Sequence, residues 1–486
     1  MRRLNTQFPF ALMLSSALLA VFAGSFPVFA AGAALGSLLG AYSLTLLFRL
    51  PRLIRFTNTV AITLLLNYGL GTVIYLLYSG LILGHATIQS KVFPITYGQD
   101  DISLALAIVY AVCGLLFYLG RIERPIFFTP PRMSDFTRPR VRLLMLIGLA
   151  IMLAAFRAGD MGFMGVVVSR SHRISALGST SLVIATVMLP LALLCVLAES
   201  RHFWKSAYYI VMLVSFVCLF FLGRRVLIFS LVTTVFAFAL TGRRIAARSL
   251  AGWARISACL GGIICLLCFG FLFFYSMRLA SWASPGKMSL LFQMNQAVQI
   301  LSTSGGGVKD ELAGNVAVRP FELSYLAGLV HAHKHHPPLY GGLALYSLEV
   351  AIPSFFYHEK TTFLPPMVEE VTHPALGLPV FDGPNTIVTA SLNDFGFAGV
   401  IIYPILLVLV YALIARLLAS RLPPFLFYLL AFRLIYMSLS VESALPSFLT
   451  VGLRDLAIIT LLFLLIWKIP YRRATGLYYA RRISQA

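Results

Sequence analysis

Five residues between 369 and 394 have the chemistry of proton transfer: Glu369, Glu370, His373, Asp382 and Asp394. A carboxylate or an imidazole within reach of a hydroxyl can serve as a general base or acid. Asp394, Asp382 and Glu370 are the candidate catalytic bases. The other chemically expressive group is basic. Arg157 is followed by Arg170, His172 and Arg173, and Gly223-Arg224-Arg225 forms a tight turn between two apolar runs. Guanidinium donors match phosphate oxygens two at a time, so Arg157, Arg170, Arg173, Arg224 and Arg225 are candidate ligands of a phosphate or pyrophosphate. The competing reading for each arginine is an anchor to lipid phosphates. Arg433, Arg454 and Asp455 lie inside apolar runs, where a charge costs about 2.5–3.5 kcal/mol or more and calls for a partner. Arg433 with Asp455 is the simplest pairing.

Other chemistries lack their residues. His331, His333, His335 and His336 alternate as metal-binding tracts do, but no second ligand frame accompanies them, so no metal is expected. The six cysteines all fall in apolar runs, which leaves neither a disulfide framework nor a thiolate metal spacing. No phosphate-binding glycine loop, dinucleotide fingerprint or serine elbow is present, and no cofactor is expected.

These residues must be held by elements that live in lipid. Of 486 residues, 59% are apolar and 11% charged, and the mean hydropathy is +0.88. A soluble chain cannot hide so much apolar surface. Apolar stretches predict an all-α, polytopic bundle of about twelve transmembrane helices, at 8–24, 29–48, 57–82, 102–120, 141–157, 182–199, 207–222, 226–241, 256–277, 396–415, 424–440 and 446–468. The first, with Arg2 and Arg3 ahead of it, also resembles a signal peptide; a retained helix is expected. The chain divides into 1–278 (helices one to nine, with a smaller outer loop at 158–181), a large outer loop at 279–395 between helices nine and ten, and 396–486 (helices ten to twelve and a basic tail).

Charge sets the orientation. With both termini in the cytoplasm, the inner loops and ends hold 24 basic residues and three acids, Glu123, Asp135 and Glu199. The outer side holds 12 basic and 13 acidic residues, so the whole formal charge of +21 falls on the inner face. That is the positive-inside rule, and no nucleic acid is needed to explain the charge. The outer arginines oppose this signal, which is why an anionic ligand is sought for them.

Three short segments carry a family resemblance: Ile352-Pro353-Ser354-Phe355-Phe356, Asp382-Gly383-Pro384-Asn385-Thr386, and Asn393-Asp394-Phe395-Gly396-Phe397-Ala398-Gly399 leading into a helix. They resemble the end of the large periplasmic loop of O-antigen polymerases of the Wzy class and related oligosaccharide repeat-unit polymerases. The basic loop from Gly159-Asp160 to Arg173 and the helix layout fit that class. The related O-antigen ligases carry a His-Asn pair where Pro384-Asn385 stands here, so the ligase histidine is missing. The resemblance implies a glycosyltransferase of the bacterial inner membrane that uses no nucleotide sugar. It would join undecaprenyl-pyrophosphate-linked oligosaccharide repeat units at the periplasmic face, in O-antigen, capsule or exopolysaccharide synthesis. Membrane lipid and a chain-length regulator protein are the partners such an enzyme would have. The aromatic residues Trp282, Tyr325, Tyr340 and Phe356 would stack on sugars or pack against the membrane. The rival readings are a flippase or exporter of lipid-linked oligosaccharide and a non-catalytic subunit of an assembly complex.

Overall fold

The computed structural model describes residues 2–49, 53–81, 97–127, 136, 139–157, 176–222, 224–241, 261–262, 269–270, 272–273, 276–277, 279, 290–303, 322–352, 364–365, 367–380, 383–422, 424–440 and 445–467. Among these the protein is a bundle of helices. The only extended pairing among the described residues is a two-residue antiparallel bridge of Leu53 and Ile54 with Phe127 and Ile126. Among the described residues seven helices are long and apolar enough to cross a membrane: Phe26–Leu47, Phe56–Leu77, Gln99–Leu119, Pro139–Arg157, Thr180–Ala198, His202–Phe220 and a window over Ile387–Leu418. Shorter apolar helices occupy Gln7–Val21, Val226–Leu240 and Phe425–Leu439, where spans are also expected. Most of the expected ninth span, 256–277, lies outside the described residues.

The helices are α1 (Arg2–Val21), α2 (Phe26–Arg49), α3 (Phe56–Leu64), α4 (Gly71–Leu81), α5 (Gln99–Leu119), α6 (Pro139–Arg157), α7 (Ala176–Ala198), α8 (His202–Leu222) and α9 (Arg224–Leu240). There follow α10 (Leu290–Thr303), α11 (Glu322–Ala332), α12 (Gly342–Ala351), α13 (Glu369–Ala375), α14 (Ile387–Phe395), α15 (Gly399–Arg421), α16 (Pro424–Leu439), α17 (Leu445–Thr450) and α18 (Leu456–Trp467). A π turn, Leu65–Leu70, joins α3 to α4, and a second, Val451–Asp455, joins α17 to α18. Pro139 and Pro424 each stand at a first helical position, where the missing N–H costs nothing.

Apolar side chains give no preference between protein and lipid, so close backbone approach decides which helices meet. In α2, Gly32, Gly36 and Gly40 recur every fourth residue. A side chain at Gly36 would strike the Tyr110 ring of α5, and one at Gly69 would lie 2.9 Å from the Ser37 nitrogen. The Tyr110 hydroxyl donates to the Gly32 carbonyl across the same contact. At the opposite end of α5, the enclosed Glu123 carboxylate accepts from the first two amides of α3, Phe56 at 2.7 Å and Thr57 at 3.0 Å. This meets two of the four donors a helix start leaves unpaired.

The region read from hydropathy as one outer loop, 279–395, is largely helical where described. α11 is buried along its length and packs against α5 and the Leu65–Leu70 turn. α14 is buried from Ile387 to Asp394. Both are too short to cross about 30 Å of hydrocarbon, and both carry polar residues that lower their hydropathy. Gly396, at φ +56, reverses the chain after α14. A side chain at Gly399 would lie 1.9 Å from the Ser391 carbonyl, so α14 folds back on α15. The apolar window Ile387–Leu418 is therefore bent, and the span expected at 396–415 is α15.

Candidate functional site

A buried polar cluster forms where α11, α13 and α14 meet the first π turn. The Tyr325 hydroxyl of α11 lies 2.8 Å from His373 Nε2 of α13. His373 Nδ1 lies 2.9 Å from the Pro379 carbonyl, which can only accept, so Nδ1 carries the proton and Nε2 accepts from Tyr325. Both residues are fully enclosed. Burial pushes the His373 pKa below its ordinary value, against the weaker pull of the Pro379 carbonyl, and keeps the ring neutral.

The Gly383-Pro384-Asn385-Thr386 turn is clamped from three sides. The buried Glu369 carboxylate accepts from the Gly383 amide at 3.2 Å and from Asn385 Nδ2. Gly383 leaves room for the Tyr325 ring, which an added side chain would meet at 2.6 Å. Thr386 caps α14 by accepting from Val388 and Thr389 amides at 3.2 Å. Its hydroxyl also lies 2.8 Å from the Tyr68 hydroxyl in the first π turn. Such π turns recur at functional sites. The result is a neutral imidazole–phenol pair close to the turn that the Glu369 carboxylate holds, a set able to hold or move a proton.

The three expected bases divide. Asp394 is enclosed and its oxygens are committed: Oδ1 accepts from the Leu343 amide at 2.9 Å, and Oδ2 from the Ala344 amide at 3.0 Å and the Tyr403 hydroxyl at 2.8 Å. It anchors the start of α12, where a negative charge is favoured by the helix dipole. The turn ahead of it is fixed by the Leu339 amide donating to Asn393 and by left-handed backbone at Tyr340 and Gly341. Glu370 is half-buried on the first turn of α13, and its carboxylate meets no donor among the described residues. Asp382 lies outside the described residues.

Of the basic candidates, Arg157 ends α6 and is exposed. Arg224 and Arg225 are the first two residues of α9, and α8 ends at Leu222; Gly223 between them and the two arginine side chains lie outside the described set. Two arginines at a helix start oppose the positive end of its dipole, and an anion there would answer both. Arg170 and Arg173 lie outside the described residues.

The three charges set in apolar helices converge. Arg433 donates Nη2 to Asp455 and Nη1 to Thr186 of α7 at 2.8 Å, with its guanidinium 4.6 Å from the Tyr436 ring centre. Arg454 reaches the other oxygen of Asp455, at 3.0 Å from Nε and 2.9 Å from Nη2. At the start of α5, Asp101 bonds Lys334 and His331, tying the histidine tract to the bundle. Among the described residues no three His, Cys, Asp or Glu come together as metal ligands.

Tyr68, Thr186 and Thr386 carry none of the signals that mark catalytic residues in a sequence. Their roles come from partners in distant segments. Comparison of the chain with family models, with curated proteins and with solved structures returned no match.

Proposed function

We propose that the chain is a polymerase of lipid-linked oligosaccharide repeat units, built on about twelve transmembrane helices with both termini in the cytoplasm. One observation carries this reading. Two segments that resemble the polymerase family, Gly383–Thr386 and Asn393–Gly399, flank the single buried helix α14 and are held by Tyr68, Glu369 and Asp394. The same region holds the neutral His373–Tyr325 pair and Glu370.

In the proposed reaction an acceptor-sugar hydroxyl at the periplasmic face attacks the anomeric carbon of the growing glycan. The bond from that carbon to the phosphate oxygen breaks, and its electron pair leaves with undecaprenyl pyrophosphate. The acceptor's proton passes to a carboxylate, for which Glu370 and Asp382 are the candidates and Asp394 the positioning residue of α12. Arg157, Arg170, Arg173, Arg224 and Arg225 are assigned to the departing pyrophosphate, whose charge they stabilise electrostatically. The chemistry requires no nucleotide sugar.

A flippase or exporter of the same lipid-linked oligosaccharide is the second reading, favoured by the charged group at Arg433, Asp455 and Arg454 within the bilayer. Replacing Arg224 and Arg225 together by alanine separates the two. With the variant inserted and abundant, the polymerase reading expects long surface glycan chains to collapse to single repeat units. Loss of all surface glycan, single units included, points to the flippase. An unchanged ladder removes the two arginines from the site and, if Glu370→Gln is also silent, overturns the polymerase assignment.

A further inference from the structure

Two guanidiniums share one carboxylate at Arg433, Asp455 and Arg454, so the three charges sum to +1 inside the bilayer. The two arginines are not equivalent. Arg433 is sealed, its side chain 2% exposed among Asp455, Thr186 and the Tyr436 ring. The Arg454 side chain is 31% exposed. It gives Nε and Nη2 to Asp455, and Nη1 meets no acceptor among the described residues.

The exposed side of Arg454 lies beside an apolar outer face of the helix. Leu453 and Leu461 are each 58% exposed, while Asp455, Ile459 and Phe463 are buried, so one face of this helix looks outward with Arg454 at its margin. The π turn over Val451–Asp455 brings the adjacent residues 454 and 455 to the same ionic group. Arg454 stands nine residues after Leu445, about 14 Å along the helix, and thirteen before Trp467, about 20 Å. It is nearer the end that the charge distribution assigns to the outside, and a long arginine side chain snorkels toward the closer headgroups.

We propose that Arg454, backed by Asp455 and Arg433, is a lateral binding site for the phosphate of a membrane lipid. The free edge of the guanidinium takes phosphate oxygens, and the lipid supplies the negative charge that the ionic group lacks. A phospholipid headgroup and a polyprenyl pyrophosphate both carry this chemistry. Asp455 holds the fork toward the margin of the helix, and Arg433 keeps the group positive.

The test uses the full chain in phosphatidylcholine nanodiscs doped with either phosphatidylglycerol or farnesyl pyrophosphate, with retained lipid counted by native mass spectrometry. The wild type is expected to retain one of the doped lipids, and Arg454→Gln to lose about tenfold in retention, a difference of about 1.4 kcal/mol. Arg454→Lys, which keeps the charge but not the fork, is expected to fall between them and serves if the glutamine variant fails to insert. Retention of phosphatidylglycerol alone supports the site with phospholipid as its source and leaves the polymerase reading untouched. Retention of farnesyl pyrophosphate supports it with the polyprenyl carrier as source. Equal retention of both probes by wild type and variants overturns the proposal.

Discussion

Tyr325 and His373, 48 positions apart in the chain, meet through a 2.8 Å bond from hydroxyl to Nε2 in a region closed to solvent. Because Nδ1 is spent on the Pro379 carbonyl, the phenol donates and the imidazole accepts. Tyr325→Phe removes the donor from a buried acceptor, which costs about 1–3 kcal/mol. The melting temperature of the purified protein is expected to fall accordingly, and the surface glycan ladder to shorten. A variant that matches the wild type in both would deny the pair any role.

Acid should weaken the fold through the buried histidines. Burial holds the His373 and His333 pKa values below the ordinary 6.5, so the folded state keeps these rings neutral. The unfolded chain takes up their protons as pH falls through about 6.5, and the folded chain does not until a lower pH. Stability therefore rises with pH between the folded value and about 6.5, by up to about 1.4 kcal/mol per pH unit for each histidine, and is level above that window. Melting curves from pH 5 to 8 should show this slope, and His373→Gln should flatten part of it.

Asp394 and Glu370 are expected to fail in different ways. Asp394→Asn exchanges a carboxylate that accepts three donors at the head of α12 for an amide that cannot accept them all. A loss of about 2–3 kcal/mol follows, with low membrane abundance. Glu370→Gln removes a half-buried charge with no bonded donor among the described residues, so abundance should hold while chain extension drops. Immunoblot abundance beside the glycan ladder distinguishes the two. Normal abundance of Asp394→Asn with no long chains would return Asp394 to the role of base.

Removing Arg433 should cost far more than removing Arg454. Arg433→Gln breaks an enclosed ion pair with Asp455, for which about 3–5 kcal/mol is typical. Arg454 is partly exposed, and Arg433 still neutralises Asp455 when it is gone. Thermal unfolding in one detergent should rank Arg433→Gln well below Arg454→Gln. Equal losses would mean that the two arginines share Asp455 evenly.

Much of this architecture was legible in local composition. Apolar runs marked the spans because a helix in lipid needs about twenty apolar residues in a row, and that signal is carried by neighbours in the chain. The Arg433–Asp455 pairing was legible because two charges set in apolar runs have few other partners to choose from. Glu369 and His373 stood out by residue type alone, and Asn385 through the family resemblance.

What composition hides is a short helix buried among longer ones. α11 and α14 fall below the length of a span, and Glu322, Thr386, Asn393 and Asp394 lower their hydropathy, so both read as loop. Asp394 reads as a free acid in sequence because its donors, Leu343 and Ala344, stand some fifty positions earlier.

The sequence by itself determined that this chain is rich in helices long and apolar enough for lipid, and where most of them run. These follow from solvation, which acts on each segment separately. The tertiary structure alone decided that Tyr68 meets Thr386, 318 positions away, and that Gly383 gives its space to Tyr325. It also tied the Asp394 carboxylate to the first amides of α12 and to Tyr403. Those outcomes depend on which buried donor finds which acceptor once the helices pack, and no local pattern of residues encodes that choice.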